Sequence, residues 1–258
     1  RISLRIKVNL QSDRKIGLPI HHNHIIQSFI YANLDRALAG TLHDEGYKLG
    51  SRTFKLFTFS RLLGKMNYSP QEGFTFYPPV SLFIASPKVD ILESLAHFLV
   101  KRKELILGKN KVWTEGIEVM MERKFTGKVQ IEMLSPVVVY STLYTPEGKK
   151  KTYFYNPQEK EFKEKIRDNL IKKYLLVNGS SSDDNFQFDI LPLRVNKNDE
   201  KIIIYKQTVI HGWMGRYEIT GSPELIEVSY SAGLGSKNSS GFGMWEVRRE
   251  DFPEQRIP

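Results

Sequence analysis

The stretch "GLGSKNSSGFG", residues 233 to 243, gathers Gly233, Gly235, Gly241 and Gly243 around Lys237, Asn238, Ser239 and Ser240. Glycine loses more backbone freedom on folding than any other residue, so four in one loop point to positive φ or close backbone approach. The chemistry such a loop suits is anion holding: backbone N–H groups form a concave nest, Lys237 supplies charge, and Asn238, Ser239 and Ser240 are extra donors. It is no dinucleotide fingerprint, since Asn238 stands where glycine is required and the loop follows a helix instead of opening one. It is no Walker A loop either, because Gly-Lys-Ser/Thr is missing. A loop at a helix C-terminus faces the negative end of the macrodipole, so the helix itself attracts no phosphate. Two readings stay open on geometry: an anion nest, or a flexible connector with Gly233 as an ordinary helix-ending residue.

Other chemistry is limited by what the chain lacks. It has no cysteine, which removes disulfides, thiolate metal sites and cysteine nucleophiles and fits a cytoplasmic protein. His21, His22 and His24 in "HHNH" have no carboxylate beside them, so they read as structural or auxiliary polar groups, with no metal and no cofactor expected. His211, after "KQTVI", reads as a hydrogen-bonded sheet residue. With 38 Lys+Arg against 29 Asp+Glu, a net charge of +9 makes a polyanion the default partner, nucleic acid before an anionic membrane. No apolar run approaches the roughly 18 residues a membrane span needs.

The elements that must position these groups follow from periodicity. Ile2, Leu4, Ile6, Val8 and Leu10 alternate as a first strand; Ile26, Phe29, Ile30, Leu34 and Leu38 predict one helix with Asn23 as N-cap. "KLFTFS" and "FTFYPPVSLFIAS" predict two strands, Ser86-Pro87 opens a helix carrying Leu92, Leu95, Ala96 and Leu99, and "KVWTEGIEVM" is a fourth strand. The order then restarts. "KVQIEMLSPVVVY" is a strand, "TLYTPEGKKKTYFYN" an inserted hairpin, and 157 to 176 a helix with Phe162, Ile166, Leu170 and Tyr174 at four-residue steps. After the turn "NGSSSDDN" come the strands "FQFDILPLRV" and "KIIIYKQTVIHGW", a short helix opened by Ser222-Pro223, the glycine loop and the strand "GMWEVRRE". Both halves read β-α-β-β-α-β. The expected fold class is therefore α+β, with two tandem ferredoxin-like (RRM-like) domains, 1–122 and 127–258, the second carrying loop 233–243. One large mixed α/β domain is the alternative.

The G-x-G, five residues, G-x-G pattern ahead of a final strand, preceded by "VSYSAGLG", resembles the CRISPR repeat-processing endoribonuclease family. "LPIHHNHIIQSFIYANL" and "TFKLFTFSRL" resemble that family's first-helix and second-strand segments, so the likeness runs over essentially the whole chain. It implies metal-independent RNA cleavage: a base deprotonates a ribose 2′-OH, the oxygen attacks the adjacent phosphorus, and an acid protonates the departing 5′ oxygen. The partners it implies are precursor CRISPR RNA repeat and a larger CRISPR effector complex, with the protein a monomer or homodimer.

By local context the resemblance places three candidate catalytic residues here. Tyr31 lies late in the first helix, His43 in the following loop "TLHDEG", and Lys55 at the start of "KLFTFS". His43 is the expected general acid/base, its pKa raised by Asp44 and Glu45; Tyr31 shares proton transfer or orients the hydroxyl; Lys55 stabilises the phosphorane. The candidate RNA-binding residues are Gly233, Gly235, Lys237, Asn238, Ser239, Ser240, Gly241 and Gly243. Two other readings stand beside this one. A non-catalytic RNA-binding protein of the same fold would leave the three side chains scattered, and an RRM-like stacking sheet would need Phe57 and Phe59 exposed.

Overall fold

The computed structural model describes residues 4–179 and 185–248. Ile2 of the expected first strand, residues 180–184 of the expected turn, and Arg249 and Glu250 of the expected last strand lie outside the described residues. The fold is α+β, built as two sheet-centred lobes.

The amino-terminal lobe runs β1 (Leu4–Gln11), β2 (Ile16–Leu18), α1 (Asn23–Ala32), α2 (Arg36–Asp44), β3 (Tyr47–Leu49), β4 (Arg52–Phe54), β5 (Thr58–Phe59), β6 (Leu63–Ser69), β7 (Gly73–Ser86), α3 (Val89–Lys101), β8 (Leu105–Leu107) and β9 (Asn110–Met120). β1 lies between β7 and β9, and β5 and β6 pair with β7. The alternation of β1 sets the register, with Ile6 opposite Ile84, Val8 opposite Leu82 and Leu10 opposite Val80. These side chains are buried against α1 and α3, whose stripes supply Ile26, Phe29, Ile30, Ile91, Leu92, Leu95 and Leu99. Each such side chain stabilises the fold by about 1.5–3 kcal/mol.

The carboxy-terminal lobe continues with β10 (Lys128–Met133), β11 (Tyr140–Tyr144), β12 (Lys150–Phe154), α4 (Lys160–Asn178), β13 (Phe188–Arg194), β14 (Glu200–Tyr205), β15 (Thr208–Trp213), β16 (Arg216–Gly221), α5 (Pro223–Ala232) and β17 (Trp245–Val247). Its four-stranded sheet has the order β13-β16-β10-β17, while β11-β12 and β14-β15 stand apart as two-stranded ribbons. Its core includes Ile131, Phe162, Ile166, Tyr217, Leu225 and Trp245.

The lobes are bolted together through β1. Alternation predicts a polar face for this strand, yet Arg5 on that face is 2 % exposed because α5 and β17 cover it. Its guanidinium donates to Trp245 O and Tyr230 O, both at 2.8 Å, and stacks 3.7 Å over the Tyr230 ring.

Several expected elements are redrawn. The single helix through Leu38 is two: α1 stops where Asn33 Nδ2 bonds Phe29 O, and Asp35 Oδ1 caps α2 by accepting from Ala37 and Leu38 N–H. Asn23 caps nothing; it is the first residue of α1. Ser86 Oγ donates to Leu56 O and accepts from the N–H of Lys88, which is the N-cap of α3; Ser222 is the N-cap of α5 ahead of Pro223, but its Oγ accepts from Gln187 N–H and makes no cap bond. "KLFTFS" is a strand only at Thr58–Phe59, because Leu56 takes φ 56° and turns into the other lobe's core. The sheet strand within "KVQIEMLSPVVVY" ends at Met133; beyond it Val137 makes an isolated bridge to Trp213 and Tyr140 opens β11. "KIIIYKQTVIHGW" is the β14-β15 hairpin, turning at Lys206 and Gln207 with φ of 44° and 68°, and the sheet strand is β16, which the apolar pattern did not single out.

Candidate functional site

Helices α1 and α2 and the segment between β4 and β5 bring Tyr31, His43 and Lys55 together. His43 lies in the last turn of α2, not in a loop, because α2 extends through Asp44. Its ring meets that of Tyr31 edge-on, with centroids 6.2 Å apart. Lys55 Nζ donates to His43 O at 2.8 Å and to Leu42 O, so the ammonium closes the C-terminal end of α2.

Their electrostatics differ. His43 is mostly exposed and its Nδ1 lies 2.8 Å from Asp44 Oδ1, which leaves Nε2 to exchange a proton with a ligand. Tyr31 packs against Phe57, and burial, with Tyr205 adding to it, pushes its phenol up to about 12. It is a neutral O–H donor at any ordinary pH. Burial lowers the Lys55 ammonium against the opposing pull of Asp44.

Lys55 also belongs to a cleft of about 660 Å³ between the lobes. Arg52 to Leu56 form one wall, Tyr140 to Leu143 of β11 another, and Gly235 to Ser239 a third. Among the described residues five basic side chains line it, Arg52, Lys55, Lys165, Lys173 and Lys237, and no carboxylate does. Such a cleft concentrates positive potential where low-dielectric walls focus it.

The glycine loop is not a flexible connector. It is bonded to its own lobe by Ser236 N–H to Val138 O and Gly243 N–H to Pro136 O. It is bonded to the other lobe by Asn23 Nδ2 to Ser240 O, Gln27 Nε2 to Ser239 O and Thr58 Oγ1 to Phe242 O. Close approach is what the glycines serve: a Cβ on Gly235 would lie 2.4 Å from Val138 O, and one on Gly241 2.5 Å from the Phe59 ring. Gly233 ends α5 with φ 88°. Asn238 is spent internally, its Nδ2 donating to Leu234 O and Phe242 O. Lys237, at φ 60°, reaches over the Tyr140 ring at 5.0 Å, and burial lowers its ammonium. Ser239, which lines the cleft, and Ser240 are both half-buried.

Lys173 and Asn169 escaped the sequence reading. The buried positions of α4 include Phe162, Ile166, Asn169 and Lys173, so two polar residues continue the core stripe at steps of three and four. That misplaced polarity was the available signal. Lys173 Nζ donates to Gly233 O at 2.8 Å and Gly235 O at 2.9 Å.

Other expected candidates are placed elsewhere. His21 Nδ1 accepts from Ile204 N–H, His22 Nδ1 lies 2.8 Å from Pro19 O, and His211 Nδ1 lies 2.8 Å from Glu200 Oε1. Among the described residues no three His, Asp or Glu side chains converge on a metal-sized site. Phe57 and Phe59 are buried at 0 % and 1 % exposure, so the sheet offers no stacking platform through them.

Comparison with known proteins matches both lobes to one family. Residues 17–118 match the family described as "CRISPR-associated protein Cas6, N-terminal", and residues 120–247 match "CRISPR associated protein Cas6, C-terminal". A CRISPR-associated endoribonuclease Cas6 of Methanocaldococcus jannaschii is 30% identical over 252 residues, covering 95% of this chain and 92% of that protein. Its counterpart in Pyrococcus furiosus is 29% identical over 241 residues, covering 91% and 85%. Among solved structures, a Cas6-related protein from Pyrococcus furiosus superposes with a TM-score of 0.81 at 21% identity, covering 96% of this chain and all of the other. Another, described as "CRISPR associated protein Cas6", gives 0.76 at 27% identity, with the same coverage.

Proposed function

Because the chain belongs to the Cas6 family of CRISPR-associated endoribonucleases, we propose that it binds CRISPR repeat RNA in the interlobe cleft and cuts it at the Tyr31, His43 and Lys55 cluster. The observation that carries this reading is the position of Lys55. It lines the cation-rich cleft and is bonded to the backbone of His43. A phosphate held by the cleft is thereby led to a proton-exchanging imidazole and a neutral phenol.

The chemistry these residues support is internal transesterification. A base removes the proton from the 2′-OH, that oxygen bonds to the adjacent phosphorus, and the P–O5′ bond breaks as an acid protonates the leaving oxygen. His43, through Nε2, serves as acid or base, the Tyr31 O–H donates a hydrogen bond to the reacting oxygens, and the Lys55 ammonium stabilises the charge gathered on the phosphorane. The lobes are two ferredoxin-like units, 1–122 and 127–258, whose observed strand orders support that assignment.

The test is cleavage of a panel of CRISPR repeat RNAs in EDTA, with substrates carrying one 2′-deoxy sugar at the cut site. Cleavage to a 2′,3′-cyclic phosphate and a 5′-hydroxyl, blocked by the deoxy sugar, is the expected result. Tight binding of every repeat with cutting of none would overturn it and leave a non-catalytic RNA-binding protein.

A further inference from the structure

Lys173 is fully buried, and among the described residues no carboxylate pairs with it. It is 2 % exposed, and its neighbours across the floor of the cleft are Ala232 and the carbonyls of Gly233 and Gly235. The charged groups facing it along the cleft are Arg52, Lys55, Lys165 and Lys237, all positive. Asp168 on the same helix lines a smaller adjoining hollow with Lys172, and its carboxylate pairs with Arg167 at 3.3 Å. An ammonium has three N–H donors. Two are used on carbonyls, and one is left.

One helical turn back, Asn169 is 8 % exposed and its Oδ1 has no hydrogen-bond partner among the described residues. Buried polar atoms are nearly always partnered, so an orphan on the cleft floor marks a place for a ligand. An amide that nothing holds is free to turn over, which puts its N–H₂ at the same spot as a donor. A spare N–H on Lys173 and an amide N–H₂ beside it make a pair of donors for an anion with several oxygen acceptors.

We propose that Asn169 and Lys173 form a phosphate subsite on the floor of the cleft, entered by a phosphodiester of the bound strand. This rests on the reading that RNA occupies the cleft. Burial brings the Lys173 ammonium down to about 7, so in the empty cleft the amine and ammonium forms coexist at neutral pH. An anion in contact favours the ammonium, so binding and protonation reinforce each other. The charged form also holds Gly233 O and Gly235 O more strongly, which firms the glycine loop around its ligand.

The experiment is a pH titration of the lysine ¹Hε–¹³Cε signals of the whole chain, alone, with inorganic phosphate, and with a short oligouridylate. One signal titrating near neutrality should appear in the free protein and be missing in Lys173→Met. With oligouridylate it should titrate higher by about one pH unit or more. Between pH 7 and 9 the affinity of the wild type should weaken in total by up to about tenfold for each pH unit by which that signal moves, and by more than the affinity of Lys173→Met. The wild-type titration stands alone if the variant fails to fold. RNA that binds and is cut while this signal stays still overturns the subsite and spares the nuclease reading. A shift with inorganic phosphate but not with oligouridylate overturns it as an RNA subsite. RNA that fails to bind in every arm overturns both.

Discussion

Lys55 Nζ is bonded to the backbone carbonyl of His43 at 2.8 Å, so the cation is tied to the helix that carries the imidazole and not to the imidazole itself. The C-terminal carbonyls of α2 are the negative end of its dipole, and the ammonium neutralises them. This leaves the ring free to work while its helix is held. The two residues therefore have separable roles.

Replacing His43 with alanine removes the proton-exchanging group and nothing that holds the fold, since the side chain is mostly exposed. Cleavage should fall by about 100-fold or more. RNA affinity should stay within about twofold, because one exposed side chain outside the lining of the cation-rich cleft adds little to phosphate binding. Single-turnover cleavage and filter binding on the same preparation check both halves.

Lys55→Ala should act twice. Loss of phosphorane stabilisation lowers the rate by about 100-fold or more. Loss of the bonds to Leu42 O and His43 O frees the end of α2 and costs about 1 kcal/mol, or about 2–4 °C of melting temperature in a chain of this size. Thermal melts of Lys55→Ala and His43→Ala side by side should show the drop in the first alone. Equal melts would mean that the contact contributes nothing to the helix.

Tyr31 stays protonated through the working range because its phenol is pushed up to about 12. It gives up its proton only above that value, so it contributes no limb to a pH–rate profile between 6 and 9. Tyr31→Phe should lower the plateau and leave the shape of the profile unchanged. A limb that vanishes in Tyr31→Phe would show that the phenol ionises during turnover.

The glycine loop can be tested by contrast. A Cβ at Gly243 would lie 2.0 Å from Leu234 O, at φ 82°, whereas one at Gly148 would meet nothing within 4 Å at a similar φ of 78°. Gly148→Ala carries only left-handed strain, about 1–2 kcal/mol. Gly243→Ala adds a backbone collision in the joint between lobes and should cost about 4 kcal/mol or more. Denaturant midpoints at matched slopes separate the two.

Much of the fold was legible because it rests on local patterns. The alternation of Ile6, Val8 and Leu10, the stripe of Leu92, Leu95 and Leu99, and the hairpin at 140–154 are read from neighbours in sequence. What was not legible depends on the other lobe. Arg5 looks like a wet strand residue until α5 covers it, and Asn23, a plausible N-cap by local rules, is spent on Ser240 O across the joint. The Tyr31, His43 and Lys55 cluster became legible through resemblance, since spacing alone puts no limit on how a loop folds back. Lys173 sits at a core position of α4 where charge is expensive, and that conflict was visible in the sequence.

Lys173 also predicts how stability follows pH. Its pKa is about 7 in the folded chain against the ordinary 10.5 of an unfolded one. Below pH 7 both states carry the proton, and the folded state bears the full cost of a buried charge. Between 7 and 10.5 the folded state releases its proton first, so the unfolded state binds more protons and stability rises with pH. The slope approaches about 1.4 kcal/mol per pH unit from this one group. Wild type should therefore gain stability from pH 7 to pH 9.5 relative to Lys173→Met, measured by urea unfolding at fixed ionic strength. Parallel curves for the two proteins would mean that Lys173 keeps its charge in the folded state, and that water or an anion already compensates it.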